Sequence, residues 1–199
     1  MSEKFAKLGM RPANILLPKA GTDMTKWAVV ACDQFTSQPE YWEEVDRIAG
    51  DAPSTLRLIL PESKLNDANV EEHIADINRS MADYLSRDIF QTLKDSVIYI
   101  ERTQSDGTVR PGLVAAVDLE KYDYTPGSGS LIRATEGTVL ERIPPRVRVR
   151  KDAPIELPHV MLLIDDPKKT CVEPIAKETA GMEQVYDFEL MMKGGHLKG

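Results

Sequence analysis

Hydrophobic positions along the chain fall into short runs separated by Pro, Gly and Asp, and each run predicts an element. Asn14 to Leu17 is an apolar run closed by Pro18 and reads as a first strand. Lys26 to Cys32 (Trp27, Ala28, Val29, Val30, Ala31 at its centre) is too short for a helix and predicts a buried strand. Ser37 then precedes Pro39, Glu40, Tyr41, Trp42, Glu43 and Glu44, a cap followed by Pro and an acidic first turn, so a helix starts here and stops at Gly50. Ser54 to Leu60 carries Leu56, Leu58 and Leu60 in alternation and predicts a strand ended by Pro61. The clearest periodicity comes after Asn69. Val70, Ile74, Ile77, Met81 and Leu85 recur at helical spacing and give one apolar stripe behind Glu71 and Glu72.

The second half mixes signals. Ser96 to Glu101 and Val109 to Leu119 are β-rich and joined through Ser105-Asp106-Gly107, a strong hairpin signal. Thr125 to Ser130 is rich in Pro, Gly and Ser and marks a loop or a subdomain edge at 125–130. Leu157 to Ile164 reads as a buried strand stopped by Asp165-Asp166-Pro167, and 174–192 as a helix interrupted near Gly181. The expected fold is α+β, with a mixed sheet, flanking helices and a central β-hairpin in a single domain over 1–199. There is no internal repeat. The final phrase, Met191 to Gly199, resumes apolar character and stops abruptly, so the chain reads as part of something longer.

Composition narrows the class more than the reaction. At 199 residues, 42% hydrophobic and 29% charged, the chain has a globular composition. A chain this long buries about 70% of its unfolded surface without needing disulfides. Its net charge of −7 argues against general binding to a phosphate backbone. No apolar run reaches membrane-spanning length and no signal-peptide core opens the chain, so the expectation is a cytoplasmic protein without a membrane partner. Cys32 and Cys171 form no Cys-x-x-Cys pair, and Cys32 reads as a core residue. His73 reads as solvent-facing on its helix and His159 as structural. No zinc- or calcium-type spacing is present.

Charge is nonetheless uneven. Between Arg133 and Lys151 six basic residues stand against Glu136 and Glu141, a local balance of +4. In Arg146-Val-Arg-Val-Arg150, strand alternation would set three guanidiniums on one face. Guanidinium forks suit phosphate or carboxylate, and they equally pair with acids of the same chain. Upstream, Ile132 to Thr138 gathers Arg133, Thr135, Glu136 and Thr138 around Gly137 and is the candidate ligand loop. Asp33 lies between the expected strand and helix, where α/β crevices collect ligands.

Three phrases, Val29 to Trp42, Leu131 to Arg146 and Asp187 to His196, together resemble the clostridial branch of a bacterial and archaeal domain-of-unknown-function family, number one thousand and fifteen in its series. Asp33, Ser37, Pro39 and Glu40 resemble one family motif; Glu136, Thr138, Pro145 and Arg146 resemble another. This chain has Arg133-Ala-Thr where the family's His stands directly before the Glu. The family pattern continues from that Arg as a helix, whereas the local alternation reads as a strand. The resemblance implies an N-terminal half, with a later Asp-Gly-Asn/His-His motif similar to the phosphate-handling loop of ParB-like and sulfiredoxin-like proteins; that motif is not among these residues.

Two functions fit these residues. In the first, the chain belongs to a phosphate- or nucleotide-using enzyme. Asp33 and Glu136 are its catalytic candidates, and Arg133, Thr135, Thr138 and Arg146 bind a small anionic ligand. In the second, it is a non-catalytic module docking an acidic partner through its Arg-rich segment. Either form would allow a homodimer. The residues name no cofactor and no metal ligand.

Overall fold

The computed structural model describes residues 7, 9–134 and 137–199. In chain order the strands are β1 (Met10–Arg11), β2 (Ala13–Pro18), β3 (Phe90–Ser96), β4 (Ile98–Thr103), β5 (Val109–Val114), β6 (Ala116–Val117), β7 (Asp187–Glu189) and β8 (His196–Lys198). The α-helices are α1 (Met24–Trp27), α2 (Pro39–Ala49), α3 (Val70–Ser86), α4 (Ile143–Arg150) and α5 (Val172–Ala176). The fold is α+β, its helices set beside small antiparallel sheets. β1 pairs with β6, β2 with β3, and the four-stranded sheet runs β5-β4-β8-β7. Among the described residues the parallel component is one isolated bridge, Tyr122 to Ile132.

The hairpin forms as its sequence demands. Thr103 faces Val109, the Asp106 carboxylate accepts the Thr108 N–H at 2.9 Å, and Gly107 supplies the φ of 85° the turn needs. β2 closes at Pro18 as expected. Its partner β3 is not legible in the sequence, because Phe-Gln-Thr-Leu-Lys-Asp-Ser turns only Phe90, Leu93 and Ser96 partly inward, which is too sparse for alternation.

Helices α2 and α3 stand where periodicity put them. Pro39 opens α2, although the cap position falls to Gln38, not Ser37, and makes no side-chain bond. Gly50 ends the helix at φ 54°. In α3 the buried stripe is Val70, Ile74, Ile77, Met81 and Tyr84. Leu85 is left 43% exposed, because a step of three from Met81 keeps the stripe on the core side where a step of four drifts off it.

Two expected strands became helical turns for the same reason, a side-chain cap. The Asp23 carboxylate accepts the N–H groups of Thr25 and Lys26 and starts α1, so Lys26 to Cys32 is one turn followed by an extended strap. Ser54 accepts the Leu56 N–H and starts a 3-10 turn at Thr55–Leu58. These two turns grip each other: the Thr55 hydroxyl donates to the Trp27 carbonyl at 2.8 Å and accepts the Val29 N–H. Three further expectations fail. Leu157 to Ile164 forms no strand and Val160 to Ile164 stays exposed. Residues 174–192 hold only the end of α5, two short 3-10 turns and β7. Arg146 to Arg150 is helical, with Pro at the start of α4, where a missing N–H costs nothing.

Two hydrophobic clusters hold the molecule. The larger joins Trp27, Leu58, Leu60, α3 and Ile155; the smaller joins Tyr41, Trp42 and Val45 of α2 to Met191. Ile155, together with half-buried Val149, Ala153 and Leu157, fastens the Arg-bearing stretch to the main core.

Candidate functional site

The Arg-rich helix turns its charges onto acids of its own chain. Arg146 Nη2 meets Glu62 Oε2 at 3.4 Å, Arg148 Nε meets Glu71 Oε1 at 3.3 Å, and Arg150 Nη1 meets Glu156 Oε1 at 3.1 Å. Arg148 and Arg150 also donate to the carbonyls of Leu65 and Pro158, at 3.3 and 3.0 Å. Helical geometry, not strand alternation, explains the spread: positions 146 and 150 share a side while 148 points elsewhere. All three guanidiniums keep substantial solvent exposure, so each pair contributes about 0–1 kcal/mol and can be exchanged for another anion.

Arg146 does come near the Asp33 region. The Cys32 carbonyl accepts the Glu62 N–H at 2.8 Å, which sets the Cys32–Asp33 turn beside the carboxylate that Arg146 contacts. Burial pushes the Cys32 thiol above its ordinary pKa and the Asp33 charge adds to this, while Arg146 and Arg150 pull the other way. Cys32 is half-buried, consistent with a packing role, and Asp33 is exposed.

Of the remaining candidates, Arg133 and Thr138 are among the described residues. Arg133 is exposed and lines a separate hollow of about 430 Å³ with Leu131, Ala134, Leu163, Ile164 and Asp165. Thr138 is exposed in the connection leading to α4. Thr135 and Glu136 lie outside the described residues. Asp33 and Arg146 are not among the residues lining the Arg133 hollow. Sequence reading missed the acids Glu62, Glu71 and Glu156, because only the fold brings three separate segments to one helix.

Histidines also fall differently from expectation. His159 is exposed rather than structural. His73 is half-buried on α3, its Nε2 3.0 Å from Asn69 Nδ2. His196, on β8, stands 2.6 Å from Asp187 of β7, a diagonal contact across the strands, since the register sets His196 opposite Glu189 and Asp187 opposite Lys198. Among the described residues no three His, Cys, Asp or Glu side chains gather as a metal-binding group, and no helix is long and apolar enough to cross a membrane.

The largest anomaly is apolar. Large hydrophobic side chains are exposed most densely between Leu119 and Ile164, with Leu140 at 73% and Val160 at 79%. Soluble surfaces scatter such residues singly; a concentration of them marks an interaction surface.

No curated protein and no solved structure matches the chain. A family model does, over residues 16–198, nearly the whole length, and its description is "Protein of unknown function (DUF1015)". The chain that carries this acid-paired Arg helix beside a bare apolar segment belongs to that family.

Proposed function

We propose that this chain is a non-catalytic binding and assembly module that docks another polypeptide through residues 119–164. The observation behind this reading is the concentration of exposed apolar side chains there, Leu119, Leu131, Leu140, Val147, Val160 and Leu163 among them. Burying such a surface releases roughly 25 cal/mol for each Å² removed from water, so contact with a complementary face is favourable. Arg146, Arg148 and Arg150 are engaged with their own carboxylates, so the apolar groups supply the contact. A photo-cross-linking residue placed at Leu140, with Leu85 on α3 as the exposed control, tests this in living cells. Adducts to defined acceptor peptides at 140 and none at 85 are expected. No polypeptide adduct at 140 would overturn the reading.

A second reading rests on the Arg133 hollow. Arg133 lines this hollow with apolar Leu131, Leu163 and Ile164 and with Asp165, a lining that suits a small ligand with an anionic group and an apolar body. Thermal-shift and calorimetric titrations with phosphate, nucleotides and free serine examine it. At ~1 mM a ligand with a micromolar Kd raises stability by several kcal/mol. Stabilisation lost in Arg133→Ala supports the reading; no stabilisation by any of these ligands removes it.

A further inference from the structure

We propose that Arg102 of β4 and Arg110 of β5 form an oxyanion site that takes a phosphate group, free or carried on an organic monoester. It uses none of the residues of the apolar segment or of the Arg133 hollow.

Strand register sets the two arginines against each other. Arg102 is directly opposite Arg110 in the hairpin, so both side chains leave the same face with Cβ atoms roughly 5 Å apart. Like charges in that relation repel, and a carboxylate of the same sheet would ordinarily relieve them. Here alternation sends the acids to the other side. Glu101 neighbours Arg102 along β4 and points away from it, Asp187 stands opposite Lys198, which itself faces Glu101, and Glu189 stands opposite His196, which faces Thr103. Glu101 is moreover held by the Tyr99 hydroxyl at 2.8 Å. Beside Arg102 the arginine face offers Leu197, and beyond it Phe188. Among the described residues neither arginine has an ion-pair partner.

The Arg102 guanidinium is also short of acceptors. Its Nη2 donates to the Gly194 carbonyl at 2.8 Å, which fixes the group, while its Nε is buried and has no partner among the described residues. Burial raises the Tyr41 phenol above its ordinary pKa and the Arg102 charge lowers it, which sets the guanidinium near the start of α2. Trp42 Nε1, next along that helix, is a second buried donor without a partner. Buried donors are normally satisfied, and an anion supplies acceptors and charge together. Arg102 is half-buried and Arg110 exposed, so an anion enters from the Arg110 side. Two guanidiniums match a phosphate monoester, which carries about −1.5 to −2 at pH 7, better than a carboxylate with its single charge.

The test titrates the whole chain, in low-salt buffer free of phosphate, with sodium phosphate, phenyl phosphate and acetate. Calorimetry gives the affinity, and the arginine Nε–H resonances, observed in the cold near neutral pH, locate it. Saturable movement of the Arg102 signal is expected with either phosphate, acetate binding at least about tenfold more weakly. A response to both phosphates assigns recognition to the oxyanion itself; a response to phenyl phosphate alone assigns it to the ester. Arg110→Ala, at an exposed position, should keep the fold by circular dichroism and weaken binding at least about tenfold. Arg110→Glu gives Arg102 a carboxylate of its own chain, so it should abolish binding and raise Tm in the absence of ligand. No saturable movement at Arg102 up to about 10 mM of either phosphate overturns the proposal. So does acetate binding as tightly, or binding indifferent to Arg110→Glu. Binding that moves the Arg133 signal and is lost only in Arg133→Ala also overturns it, and assigns the ligand to the Arg133 hollow instead.

Discussion

Tyr84→Phe isolates one oxygen in the junction that holds α3 to the rest of the fold. Tyr84 Oη accepts the Ser54 N–H at 3.1 Å, and Ser54 is 0% exposed, so water cannot replace the lost acceptor. The Ser54 hydroxyl is already committed, accepting the Leu56 N–H at 3.2 Å and donating to the Trp27 carbonyl at 3.3 Å. Phe keeps the ring and its packing 6.0 Å from Trp27, so the substitution removes the acceptor and nearly nothing else. A buried donor left without a partner costs about 1–3 kcal/mol. For a chain this long that lowers Tm by roughly 2–10 °C. Urea unfolding followed by the fluorescence of Trp27 and Trp42 measures the loss, and the slope of the transition should not change. Amide exchange adds a local reading, since the Ser54 N–H should lose protection before its neighbours do. A midpoint unchanged to within about 0.3 kcal/mol, with Ser54 still protected, would refute the assignment. Tyr84→Leu, which also removes the aromatic contact, should cost more, about 3–5 kcal/mol.

Other sites respond in more limited ways. Gly195→Ala should destabilise by at least about 2 kcal/mol, because Gly195 has φ 95° and an added Cβ would lie 2.1 Å from the Thr103 carbonyl oxygen; a thermal melt matching the parent would contradict this. The Asp106 carboxyl should titrate below its ordinary 3.8, since the Thr108 backbone N–H and hydroxyl hold the charged form. Its stabilising effect is therefore present above pH 3.8 and is lost as pH falls through the lower folded value, and a carboxyl-carbon NMR titration at or above 3.8 would contradict it. Cys32 should alkylate more slowly than free cysteine at mildly alkaline pH, because burial first and Asp33 second raise its pKa. Asp33→Asn should speed the reaction, and a rate equal in both proteins would place Asp33 farther from the thiol than the structure does.

How much of the site is legible in the sequence depends on the range of the interaction involved. The Asp106-Gly107 turn and the stripe from Val70 to Met81 are written within a few residues, and both formed as read. The expected strands at Lys26 to Cys32 and Ser54 to Leu60 failed through equally local chemistry. Asp23 and Ser54 are N-caps, and a cap outweighs apolar alternation across a run this short. For Arg146 to Arg150 the alternation was misleading, since Pro144 and Pro145 favour a helix start and the acids that receive Arg146 and Arg148, Glu62 and Glu71, lie far away in sequence. The family motifs did predict a helix there.

Sequence alone therefore determined the α+β class, helices α2 and α3, the central hairpin, family membership and the uneven charge. These arise from propensities, periodicity and turn chemistry that act over neighbouring residues. Tertiary structure decided which charges meet and which apolar residues remain uncovered. It seated Arg146, Arg148 and Arg150 on Glu62, Glu71 and Glu156, and it placed Arg133 in a hollow apart from Asp33. It also left Val160 to Ile164 in solvent, although hydrophobicity alone would bury that run. Hydrophobicity fixes that a segment gains by leaving water; only the arrangement of the remaining chain fixes whether a surface is there to receive it.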